Sequence, residues 1–214
     1  MLIPSVRKIH NKKSRKVIGH TYIPQMQAYA SNESQYEYRR LLQHAGDPCV
    51  DRIISQPMKV DYQFNGEWHS YTPDILVIYK DKNKLPLLDE VKPEINALKH
   101  REKFQAIKKE LARRGYEFTI SSENVVNREL LNRNLKWLKH YSSCFVHESD
   151  RNMVLRAIQD YGSCAINDLF YLFPDRKSAL FVIYKLLWNG NIAFDIDQEL
   201  TTRSIVWISQ GDAQ

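Results

Sequence analysis

Cysteine is scarce in this 214-residue chain, and the three present, Cys49, Cys144 and Cys164, are odd in number and far apart. With no Cys-x-x-Cys and no paired histidines nearby, a disulfide framework or a structural zinc site is not expected. Glycine and proline are few, at seven and eight, which excludes collagen-like and low-complexity chains. No run approaches the roughly 18 apolar residues of a membrane span. The first residues, Met1 to Pro4 and then Arg7 and Lys8, lack the apolar stretch of a secretory signal. A soluble, cytoplasmic protein with no membrane partner is therefore expected. What is present, 43% hydrophobic and 26% charged residues, is a globular composition able to bury one large core or two modest ones.

The net charge of +6 is unevenly spread. Residues 1–30 hold Arg7, Lys8, Lys12, Lys13, Arg15 and Lys16 and no acid. Residues 31–95 carry 8 basic and 11 acidic side chains, residues 96–140 carry 11 and 5, and residues 141–214 carry 6 and 9. A basic arm and a basic central segment around a more acidic middle suit a protein that grips a phosphate backbone and keeps carboxylates ready for a cation. A solvated charged helix with a disordered arm would show the same sums.

Residues 1–30 have little periodicity and read as an arm that is mobile or ordered by a partner, although Tyr22, Ile23 and Tyr29 could pack against the body. Over 31–46, Tyr38, Leu41, Leu42 and Ala45 recur at helical spacing, with Ser31 or Ser34 able to cap the start and Gly46 to stop the helix. Alternating β-branched and aromatic runs follow at 50–55, 60–64, 68–71, 75–79 and 87–91, and Asn65-Gly66 between two of them signals a hairpin. A long helix is expected over 95–114, closed by Gly115, then a strand over 116–120 and a helix over 124–138. This order predicts an α/β domain over 31–143 with a mixed central sheet flanked by helices. From 144 onwards, helices expected over 150–161, 164–172 and 175–188 and strands over 192–196 and 204–208 give a winged-helix-like domain over 144–214. Its acidic balance makes protein docking at least as good a reading as DNA contact.

The residues that carry chemistry are Tyr71-Thr72-Pro73-Asp74 and, one hairpin later, Glu90-Val91-Lys92. Pro73 fixes the turn before Asp74, and Glu90 and Lys92, two apart on a strand, project from one face while Val91 points to the other. Two carboxylates converging from adjacent strands make an oxygen-only site suited to Mg²⁺, with Mn²⁺ as a substitute. A lysine beside it can orient or help deprotonate an attacking water and stabilise charge on a phosphate. Either half alone is common, as a capped turn or a surface cross-strand pair; their strand-edge placement around the apolar run Ile75 to Ile78 favours a nuclease site.

Together with Ser34-Gln35-Tyr36-Glu37 and the Val50 to Pro57 segment ending in Gln56-Pro57, these blocks resemble, in order, those of TnsA-type endonuclease subunits of heteromeric transposases. The resemblance implies a restriction-endonuclease-like fold of the PD-(D/E)xK class. It selects Glu37 over Glu33 as a third acid, so that Glu37, Asp74 and Glu90, with the Val91 carbonyl, would hold Mg²⁺ and Lys92 would assist the water. It also implies a division of labour on double-stranded DNA in a bacterial cytoplasm. The TnsA-like subunit cuts the 5′ ends of a transposon, a TnsB-like DDE transposase cuts the 3′ ends, and a TnsC-like AAA+ ATPase couples the cut to the target through the C-terminal domain. The rivals are a stand-alone restriction or repair nuclease and a non-catalytic adaptor bridging transposase and ATPase; clustered acids argue against the adaptor. Gln56 is expected to satisfy strand-end backbone groups, and His69 and His100 to be structural or solvated. The cations Lys99, Arg101, Lys103, Lys108, Lys109, Arg113 and Arg114 are expected to track DNA phosphates.

Overall fold

The computed structural model describes residues 19–23, 28–32 and 34–209. They divide into two units, one formed by residues up to 45 and 49–128, the other by 46–48 and from 129 onwards. No helix among the described residues is long and apolar enough to cross a membrane.

The first unit is built on a four-stranded sheet. Its strands are β3 (Val50–Ser55), β6 (Ile75–Tyr79), β7 (Leu87–Val91) and β8 (Glu117–Ser121), in the order β3-β6-β7-β8. The first two pairings are antiparallel and the last is parallel, so the sheet is mixed as expected. The parallel step requires a crossover, which α2 (Glu94–Lys99) and α3 (Arg101–Arg113) supply. Strands β4 (Val60–Phe64) and β5 (Glu67–Tyr71) form a separate ribbon closed by Asn65-Gly66. Both turn residues have positive φ, 52° and 82°, as the dipeptide signalled.

Both faces of the sheet are covered, which is why β6 reads as a nearly unbroken apolar run. On one face Leu76 and Leu88 pack with Phe104, Ile107 and Leu111 of α3, Phe118 of β8, and Val60 and Tyr62 of the ribbon. Strand alternation turns Asp89 to the other face, where it meets α1 (Gln35–Ala45). The two helices thus clamp β7 between them.

Several expectations are corrected. Residues 19–23 and 28–32 are not a loose arm: β1 (Gly19–Ile23) and β2 (Ala28–Asn32) pair antiparallel, with Ile23, Ala28 and Ala30 buried. Pairing takes the residues expected to begin α1, so the helix starts at Gln35 and Ser34 caps it. The six cations of the arm lie outside the described residues. The helix expected over 95–114 breaks at His100 (φ −111°, ψ 22°). Ile95 and Leu98 are out of phase with the stripe Phe104, Ile107 and Leu111, so a straight helix could not bury both sets; α2 buries none of its residues. The helix expected over 124–138 is two, α4 (Glu123–Val126) and α5 (Glu129–Lys139).

The break between α4 and α5 is where the units part, ahead of the boundary expected at 143. Helix α5 belongs to the second unit. Its buried Asn134 amide donates to the carbonyls of Ile196 (2.9 Å) and Gln198 (2.7 Å), and its oxygen accepts from the N–H of Leu200 (3.1 Å). Then come α6 (Glu148–Tyr161), β9 (Cys164–Ala165), a 3₁₀ helix (Ile166–Leu172), α7 (Arg176–Asn189), β10 (Ile192–Ala193) and β11 (Ile205–Ile208). The helix expected over 164–172 starts two residues late because Cys164 and Ala165 pair with β11. The three strands form an antiparallel sheet in the order β10-β11-β9. Asp175 caps α7 by accepting from the N–H groups of Lys177 (2.8 Å) and Ser178 (3.0 Å), and Gly190, with φ 73°, ends it.

Candidate active site

Asp74, Glu90 and Lys92 lie at one end of the sheet, and the charge of Glu37 is felt at Asp74. Asp74 lies at the entry to β6, and its Oδ2 accepts the backbone N–H of Val91 at the end of β7 (2.9 Å). Its own carbonyl accepts the N–H of Gln56 (2.7 Å), which ties the end of β3 to the same corner. Gln56 is buried and sits at φ 47° just before Pro57. A left-handed non-glycine residue ahead of proline is a strained arrangement, and here it stands beside a candidate catalytic acid.

Glu90 is buried, and its Oε1 accepts from Lys92 Nζ at 2.7 Å. Its Oε2 is buried without a hydrogen-bond partner, as is the nearby Tyr71 hydroxyl. Lys92 is about one-third exposed, and its Nζ stands 5.9 Å from the centroid of the Phe104 ring. Glu37 sits in the first turn of α1, where Ser34 Oγ accepts the Glu37 N–H and donates to Glu37 Oε1, both at 3.1 Å. The Ser-x-x-Glu block is thus a helix cap that also holds the acid.

The electrostatics show that these groups feel one another. Burial and the charges of Glu90 and Glu37 push the Asp74 carboxyl up to about 9. Burial and Glu90 raise the Tyr71 hydroxyl far above its ordinary range, so it stays protonated. Burial alone would weaken the Lys92 charge, but Glu90, Asp74 and Glu37 outweigh it and hold the ammonium above its usual range. Carboxylates this close cannot all ionise without a compensating cation.

Among the described residues, no three His, Cys, Asp or Glu side chains already form a group that could hold a metal ion. The donor set nevertheless suits a hard divalent cation: Asp74 and Glu90 offer oxygens, and the orphaned Glu90 Oε2 needs a partner. Glu33 lies outside the described residues. His69 packs against the rings of Tyr62 and Phe64, and His100 is exposed at the helix break.

Sequence reasoning missed Asp89. It is fully buried, and its Oδ2 accepts from Arg40 Nε (2.6 Å), Ser121 Oγ (3.0 Å) and His44 Nε2 (2.9 Å). Burial would raise its carboxyl, yet the His44 hydrogen bond and the Arg40 charge hold it below the ordinary range. This cluster joins α1 to β7 and β8, one helical turn from Glu37. The signal was legible: two adjacent acids in the strand Leu87–Val91 must face opposite ways, so the one opposite Glu90 needed its own cation.

No curated protein matches the chain. Residues 47–123 match the family model described as the TnsA-like endonuclease N-terminal domain. The match takes in β3 through β8, and so Asp74, Glu90, Val91 and Lys92, while Glu37 lies ahead of it. Over these residues, about a third of the chain, it is similar to the N-terminal domain of TnsA-like endonucleases, which supports a TnsA-type nuclease.

Proposed function

We propose that the protein is a divalent-cation-dependent DNA endonuclease that cuts the 5′ ends of a transposon, working with a TnsB-like DDE transposase and a TnsC-like AAA+ ATPase. The observation that carries the reading is the meeting of Asp74, bound to the Val91 N–H, with the Glu90–Lys92 pair at one end of the sheet, within residues similar to a TnsA-like domain. Glu37, Asp74, Glu90 and the Val91 carbonyl would hold Mg²⁺ or Mn²⁺, which polarises a phosphate and lowers the pKa of a water. Glu90 would have Oε2 to offer such an ion, because Lys92 engages Oε1.

Lys92 works as an ammonium. Held charged by its neighbours, it orients a water and neutralises charge that builds on the phosphate. Tyr71, with its hydroxyl proton retained, keeps a donor next to Glu90. The exposed side chains of Lys99, Arg101, Lys108 and Lys109 give α2 and α3 a phosphate-facing surface. Arg113 and Arg114 are partly neutralised by Glu110, and Lys103 lies over the Tyr71 ring, which weakens their claim to DNA. In the second unit, the order helix, strand, 3₁₀ helix, helix and two strands, with β9 pairing to β11, supports a winged-helix-like reading.

The test is 5′-end cleavage in a reaction reconstituted with the transposase and ATPase. Asp74→Ala and Lys92→Ala should each abolish it while circular dichroism stays that of the parent. Calorimetry should show Mn²⁺ binding that Asp74→Ala removes. A variant cutting at the parental rate would reject these roles.

A further inference from the structure

The boundary at Glu129 moves α5 into the second unit, and with it a basic patch that the acidic sum of the tail conceals. Arg133, Lys136, Trp137 and His140 recur at i, i+3, i+4 and i+7 and so share one face. They wall a cavity of about 320 Å³ whose opposite side is Glu199 and Leu200. That size is at the small end of ligand sites, which run from roughly 300 to 1,000 Å³.

Trp137 is 52% exposed, yet its ring is buttressed by those of His140 and Tyr141, at centroid distances of 6.0 and 6.2 Å. His140 Nδ1 donates to the Trp137 carbonyl (3.1 Å), which fixes that imidazole. Because the Asn134 amide binds the 196–200 segment to α5, the far wall is fixed as well. The Arg133–Glu199 pair at 3.4 Å is exposed on both sides, so a stronger anion displaces Glu199 at little cost.

We propose that this cavity binds single-stranded DNA, with one base stacked on Trp137 and the flanking phosphates on Lys136 and Arg133. A half-open indole between cations a helical turn apart matches the alternation of base and phosphate along a strand. An acidic peptide would use the cations but leave the indole face idle, and a duplex keeps its bases within the stack. The choice of DNA rests on the nuclease reading, because hydrolysing a phosphodiester leaves a strand end free to leave the stack.

The experiment uses the full chain in EDTA with a fluorescein-labelled oligothymidylate of about ten nucleotides, followed by anisotropy. Trp137→Ala should weaken binding about tenfold or more, and Trp137→Phe should restore part of it. Arg133→Ala and Lys136→Ala should each weaken binding and flatten the salt dependence by about 0.7 in log–log slope. Failure of the nuclease reading appears separately, in the Mn²⁺ binding and 5′-end cleavage of the parent chain. Parental affinity in the Trp137 and Lys136 variants would overturn the proposal. Tighter binding of the matching duplex, or displacement of the oligonucleotide from the α5 face by polyglutamate with Trp137→Ala inert, would overturn it too.

Discussion

Replacing Asp89 by alanine removes an acceptor shared by Arg40, His44 and Ser121 and leaves the Arg40 guanidinium against a sheet face that no longer offers it a charge. Breaking a buried ion pair from one side typically costs about 3–5 kcal/mol. Arg40 keeps 18% of its side chain exposed and so recovers part of its hydration, which puts the expected loss at the lower end, about 3 kcal/mol. Urea unfolding followed by circular dichroism should show this as an earlier midpoint with an unchanged slope. Arg40→Ala should cost at least as much, because it strands a carboxylate that is completely buried. The double variant should then lose much less than the sum, with a coupling of about 2 kcal/mol or more. Additive losses of under about 1 kcal/mol each, the scale of an exposed pair such as Arg114 with Glu110, would refute the idea that this cluster seats α1 on the sheet.

The Asp74 carboxyl gives a pH signature. Because its folded value is raised to about 9, the folded state keeps a proton that the unfolded chain releases near pH 4. Stability therefore falls as pH climbs from about 4 to about 9. Thermal melts across that range should slope less for Asp74→Asn, which should also be the more stable form at the alkaline end; parallel slopes would refute the assignment. Ser34→Ala removes the hydroxyl that accepts the Glu37 N–H and holds its carboxylate. It should cost about 1 kcal/mol, and Ser34→Thr should restore most of the loss in the same melts.

The sheet was legible because its strands alternate or run fully apolar between clear turn signals. Strands β3, β4, β6 and β7 occupy the expected residues, and Asn65-Gly66 makes the expected turn. The helices were harder. A continuous polar-apolar rhythm over 95–114 hides the change of phase at His100, and nothing local at 127–128 says that α5 packs with later residues. Pairing of residues 19–23 with 28–32 is a tertiary choice that their low periodicity did not announce. At the site, Asp74, Glu90 and Lys92 were readable from turn chemistry and strand parity. The role of Asp89 depends on Arg40 and His44, more than forty positions away, which only folding brings near.

Strand β7 holds an anchor and a candidate metal ligand in adjacent positions, Asp89 turned to α1 and Glu90 turned to the candidate site, with Asp89 opposite Ile75 and Leu88 opposite Leu76. A misalignment of that strand by one place would swap the two acids, putting Glu90 against Arg40 and Asp89 among the apolar residues of α3. No half-correct version of this hairpin can keep both the anchor and the candidate site, so errors in its assembly are exposed to unfolding.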